Sequence, residues 1–302
     1  LPPGGLRVPG HHFTVGDTRA LVRYWRPEDV EWAIRAVRDH ELRPAVEIWQ
    51  PAVEFLHRFG IGVPIHGHER FEELRGQIDL ELLSRYITQT RAMHSESFYT
   101  DGVTRLRAGR VHDALLMARI AYDTAVDAYL ATLGETNPQE KWRHKRVARA
   151  AGTGLLRADY ERAMLGPGPD ATDAGIERYV AMLLLHTGTL NCCVQLGCSY
   201  ETLTLTDPGP AEGPPVKRAL DARLARRYDG DVYAVHTLSG AAVRLNPTAA
   251  LVFGCAGGRW SAAQLARHVA AFEGRPLPEV TADVDTVLAE LGSRGFLRPV
   301  TP

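Results

Sequence analysis

Several groups of residues in this 302-residue chain are of types that do chemistry. His186, Cys192, Cys193 and Cys198 fall within 13 residues, a density that raises metal or redox roles. Zinc sites are built from paired Cys-x₂₋₄-Cys units, and adjacent cysteines on a helix point different ways, so these read as small core cysteines. His66 and His68 flank Gly67 as an isolated His-x-His. Ser199 sits in Gly197-Cys198-Ser199-Tyr200-Glu201, which lacks the closing glycine of a nucleophile elbow. Asp229-Gly230-Asp231 and Asp283-Val284-Asp285 have a spacing that can hold a divalent cation against a triphosphate. Neither follows a Gly-Ser turn, and they read instead as a strand approach and a helix first turn, where acids suit the helix dipole. The basic run Lys141, Arg143, His144, Lys145, Arg146 and Arg149 reads either as a phosphate or RNA contact or as a solvated helix face. No Walker or dinucleotide fingerprint is present. No metal site and no cofactor are assigned.

The elements that must position these residues follow from periodicity and punctuation. Residues 18–25 alternate weakly, as a strand does. Pro27 and Pro51 open helices whose apolar faces carry Val30, Ile34 and Val37, then Val53, Leu56 and Phe59. Phe71 to about Leu165 reads helical nearly throughout, most clearly Arg110 to Leu133, which Gly134 ends. Asn137-Pro138-Gln139-Glu140 reads as a helix start, and another helix spans about Asp173 to Leu190. Thr206 to Pro215 holds four prolines and two glycines in ten residues and marks a boundary. Beyond it, Asp231–Thr237 and Ala241–Leu245 are strands joined by a tight turn at 238–240. Asn246 caps a helix to about Cys255, Gly257-Gly258 turns, Ser261 caps a second helix, and Thr281 caps a third before Phe296-Leu297.

Composition sets the outer limits. The chain is 45% hydrophobic and 24% charged, which is globular, and its net charge of −1 supplies no field toward nucleic acid or acidic membranes. Residues 217–302 carry +3 and the remainder −4. The longest apolar run, Tyr179 to Leu185, is far short of a membrane span, and four cysteines make no disulfide framework, so a cytoplasmic location is expected.

Tyr233 to Leu297 carries a resemblance. Its landmarks are LSGAAVRLNPTAALVF, a Gly-Gly turn, SAAQLARHV and ADVDTVLAELGSRGFL, with Asp221 to Tyr228 as an extra first strand. Together they resemble the PqqD family, recognition elements for ribosomally made, post-translationally modified peptides, with a small winged helix-turn-helix fold. The resemblance implies that an extended leader peptide adds as a strand to the sheet edge and lies against the third helix. The edge would be Ala242, Val243, Arg244 and Leu245, and the facing helix surface Val284, Val287, Leu288 and Leu291. Arg244 would pair with a leader acid. Core packing is the alternative for each apolar member. DNA recognition is a competing reading, but the second helix offers only Gln264, Arg267 and His268, and the third carries Asp283, Asp285 and Glu290.

Residues 20–150 resemble the later part of a nucleotidyltransferase of the kanamycin-nucleotidyltransferase kind with its HEPN-like helical region. The resemblance rests on ALVRYWRPEDVEWAI, FLHRFGIGVPIHG, AVDAYLATLG and TNPQEKWRHKRVAR. The family's Gly-Ser turn and Asp-x-Asp are missing, which implies a non-catalytic descendant or a domain truncated at its start. Arg35 to His40 and Arg107 to His112 satisfy the HEPN ribonuclease spacing only loosely.

The expected fold class is α+β, mostly α. Residues 1–70 form a residual nucleotidyltransferase-like α/β segment, 71–205 a helical HEPN-like domain, 206–216 a linker and 217–302 the PqqD-like domain. The expected function is a leader-peptide-binding accessory protein that presents a precursor to a peptide-modifying enzyme. Lys141, Arg143, Lys145 and Arg146 are the phosphate candidates. The alternatives are a nucleotidyltransferase-type enzyme acting on the peptide or a small molecule, and a winged-helix nucleic-acid binder.

Overall fold

Helices carry most of the described chain. The computed structural model describes residues 10–40, 48, 50–150, 154–204, 213–227 and 230–299. It is mostly helical with small antiparallel sheets, as the composition and periodicity imply. A hairpin of β1 (Gly10–Val15) and β2 (Thr18–Arg23) precedes α1 (Pro27–His40) and α2 (Gln50–Ile61). The strand expected at 18–25 is β2, and its partner β1 was not legible because it is exposed throughout. Short α3 (His68–Arg75) leads to α4 (Leu80–Arg107), which packs antiparallel on α5 (Val111–Thr132). Two small helices, α6 (Arg143–Arg149) and α7 (Gly154–Leu165), precede the core helix α8 (Asp173–Leu196) and α9 (Tyr200–Thr204).

The C-terminal part contains two three-stranded sheets. Strand β3 (Pro215–Arg218) pairs with β7 (Gly257–Ser261) and β8 (Leu297–Pro299). Strands β4 (Ala222–Arg226), β5 (Val232–His236) and β6 (Ala242–Leu245) form the order β4-β5-β6. Helices α10 (Pro247–Cys255), α11 (Ala262–Glu273) and α12 (Leu277–Ser293) complete it. Asn246 accepts from Ala249 N, and Ser261 with Gln264 forms a full capping box, both as the sequence implies.

Four local expectations need correction. The Asn137 side chain accepts from Gln139 N at 3.0 Å, an Asx turn, so helix begins only with a 3₁₀ turn at Glu140–Trp142. Helix α12 starts a turn before Thr281, at Leu277-Pro278, where proline suits the first turn. Thr281 instead donates to Leu277 O at 2.8 Å, and Asp283 and Asp285 lie beyond the first turn. Gly257-Gly258 opens β7 rather than forming an isolated turn, with Gly258 at φ 83°. Pro215 and Val216, at the end of the expected linker, belong to β3. The earlier linker residues 206–212, Asp229 and residues 1–9 lie outside the described residues.

Two buried clusters hold these elements. One gathers Ile34, Leu56 and Leu83 of α1, α2 and α4 with Ala131 of α5. The other runs without a break from Tyr99 and Val126 through Leu183 and Leu190 of α8 to Phe253, Val269 and Val284. The apolar core therefore crosses the composition boundary at 206–216. Helix α8 has the length and hydropathy to cross a membrane, but 56% of its apolar window is buried inside the protein. Its apolarity is that of a core helix packed on α4 and α5.

Arg218 joins the two halves. It is 2% exposed and donates to Phe253 O at 2.9 Å, Gly254 O at 2.5 Å, Leu185 O at 3.2 Å and Thr189 Oγ1 at 2.7 Å. Its charge is met by the carbonyl end of α10. Arg218→Met should cost about 2–4 kcal/mol, because it strips several buried acceptors of their donor at once. Urea unfolding of the two proteins checks this, and a loss below about 1 kcal/mol would refute it.

Candidate functional site

The tight turn at Leu238–Gly240 reverses the chain between β5 and β6, with Gly240 at φ 71° and its N–H bonded to His236 O at 2.8 Å. His236 N also donates to Ala241 O at 2.8 Å, which sets the phase of the ladder. In an antiparallel pair, bonded and non-bonded residues alternate. With Ala234 opposite Val243 and Val232 opposite Leu245, those two β6 residues bond to β5. Ala242 and Arg244 must then turn their N–H and C=O groups away from the sheet. Strand β6 pairs with no other strand among the described residues.

The side chains follow the pleat. Leu245 is buried and Val243 half-buried against the main core, while Ala242 and Arg244 are exposed. Arg244, assigned to a leader acid, already holds Asp231 at 2.7 Å. Its side chain is 69% exposed, so this pair is easily exchanged. On α12 the four named residues divide. Val284 and Leu291 are sealed in the core, whereas Val287 and Leu288 are half-buried at its margin. Only the second pair keeps surface open to solvent.

The basic run is not assembled as a cradle. Arg143 is 8% exposed and forks onto Asp127 at 2.9 and 2.8 Å, and Arg146, 1% exposed, reaches Asp127 at 2.6 Å. Lys141 and Lys145 face outward, with their ammonium groups 5.7 and 4.5 Å from the Trp142 ring centre. Helical phase put alternate members inside, a partition that needs the buried Asp127 on α5 to be known.

The remaining chemical residues are separated or occupied. His186 Nδ1 lies 2.9 Å from the Tyr200 hydroxyl, and Cys192 lies in the core beside Arg218. Burial pushes the Cys192 thiol up to about 11, which leaves it unreactive at neutral pH. No group of three or more metal-ligating side chains occurs among the described residues. Arg35 pairs with Glu31 at 3.8 Å, and Arg107 with Asp221 at 2.8 Å.

On the DNA question, Gln264 is 4% exposed, with its side-chain oxygen accepting from Ser261 N at 2.9 Å. Arg267 and His268 are half-buried. None of the three is presented to solvent as a base-reading side chain is. No family model, curated protein or solved structure matches this chain.

Proposed function

We propose that the protein binds the leader of a ribosomally synthesised, post-translationally modified peptide and presents that precursor to a modifying enzyme. The observation that carries this reading is the outward-facing amides of Ala242 and Arg244 on a strand whose outer edge has no partner among the described residues. An extended peptide gains main-chain hydrogen bonds there, and in this reading its alternate side chains would meet the half-buried Val287 and Leu288 of α12. The PqqD-like order of strands and helices after residue 217 supports the same reading. Holding the leader raises the effective concentration of the core peptide at the partner's site. In this reading the first 205 residues are a nucleotidyltransferase- and HEPN-like body without a catalytic task, and the protein works in the cytoplasm. The nucleic-acid alternative draws little support, because Gln264 is committed to the α11 cap and Arg267 and His268 are half-buried.

The experiment is amide hydrogen exchange on the full chain, with and without a short peptide encoded beside it. Protection should appear in β6, while the mass of the full precursor and the ATP concentration stay unchanged. Peptide binding without protection of residues 242–245, or a mass shift made by this protein alone, overturns the proposal.

A further inference from the structure

A cleft of about 390 Å³ opens where α8 meets the C-terminal sheets. Four cations from four elements face it: Arg162 of α7, Arg178 of α8, Lys217 of β3 and Arg259 of β7. Among the described residues no aspartate or glutamate lines it, in a chain whose net charge is −1. A carboxylate stands behind the wall. Asp159 is 5% exposed and accepts from Arg259 at 2.8 Å, Arg162 at 3.2 Å and the Tyr200 hydroxyl at 2.9 Å. It fixes two of the cations and neutralises one charge. The Arg178 and Lys217 side chains have no hydrogen-bond or ion-pair partner among the described residues.

Two further features mark this as a site rather than a basic surface. Trp260 lines the cleft, is 2% exposed, and has an indole N–H with no acceptor among the described residues. That nitrogen is closed off even from water, so the ring gives the cleft an apolar wall rather than a donor. Met182, Leu185 and Leu203 give the cleft an apolar side. His186, also in the wall, is held down to about 4 by burial, against the opposing pull of Asp159. It is neutral at pH 7 and serves as a hydrogen-bonding group rather than another charge.

We propose that this cleft binds a small organic phosphate, a doubly charged head carried on a compact apolar body. Guanidinium forks match phosphate oxygens in pairs, and Lys217 adds a point charge. Several cations around one volume exceed what a single carboxylate needs, and the volume lies in the range of small-molecule sites. The site stands apart from β6 and does not rest on the peptide reading.

Calorimetric titration of the full chain at fixed ionic strength tests this with phenyl phosphate, inorganic phosphate and benzoate. Phenyl phosphate should bind at least about tenfold tighter than either of the others, since only it supplies both head and body. The double variant Arg178→Gln/Lys217→Gln should weaken it at least about tenfold and leave the melting transition in place, because both side chains are unpartnered. Absence of phenyl phosphate binding, undiminished binding by the double variant, or equal affinity for inorganic phosphate or benzoate each overturns the proposal. Leader binding by the same variant should be unchanged, so failure here leaves the β6 reading to its own test.

Discussion

Arg244→Pro should weaken the proposed leader binding by at least about tenfold, while the protein folds as before. The Arg244 N–H faces away from β5, so removing it breaks no bond within the sheet. Val243, before the new proline, is already extended, as a residue preceding proline prefers. Proline at an edge position whose N–H faces outward is tolerated. An incoming strand, however, loses one donor worth about 1 kcal/mol and meets the pyrrolidine ring where its own backbone must lie. Arg244→Ala is the control. It removes the exposed ion pair with Asp231, worth about 0–1 kcal/mol, and keeps the N–H. Fluorescence titration with labelled leader, alongside a thermal melt of each variant, separates the outcomes. If the proline variant binds like the parent, strand addition at β6 is wrong.

Asp127→Asn should lower the unfolding free energy by about 3–5 kcal/mol, the range for breaking a buried pair by removing one partner. Asp127 is 2% exposed and is shared by Arg143 and Arg146, which are themselves buried. Without the carboxylate, two guanidinium groups remain inside the protein. Asp123, 3.3 Å from Arg143, relieves only that one. Arg146 reaches Asp127 alone, and its Nε has no acceptor among the described residues. Arg149→Ala, which breaks the exposed bridge to Glu135, should cost less than about 1 kcal/mol. Denaturant unfolding of both variants distinguishes a structural clamp of α6 on α5 from a solvated basic face. Equal, small losses would favour the solvated face.

Much of this molecule was legible along the chain. The Asn246 and Ser261 caps, Pro27 and Pro51 at helix starts, Gly240 in its turn and the apolar spacing of α5 all act within a few residues of themselves. Their consequences appear where the spacing put them. The misreadings share a cause. Asn137 and Thr281 carry the side chains of caps, yet each found a different local bond, and sequence type does not choose among such bonds. Edge status of β6 was expected from a resemblance. Its phase, with Ala242 and Arg244 turned outward, needed the β5 register.

Local spacing thus determined the helices, the turns and the short antiparallel ladder. Three-dimensional packing alone decided that Arg143 and Arg146 turn inward while Lys141 and Lys145 do not, and that one apolar core runs past residues 206–216. It also brought Arg162, Arg178, Lys217, Arg259 and Trp260, spread over a hundred residues, around one cleft. The physical reason is range. Capping and periodicity are settled over a single turn of chain, whereas the burial of a charge depends on which distant surface closes over it.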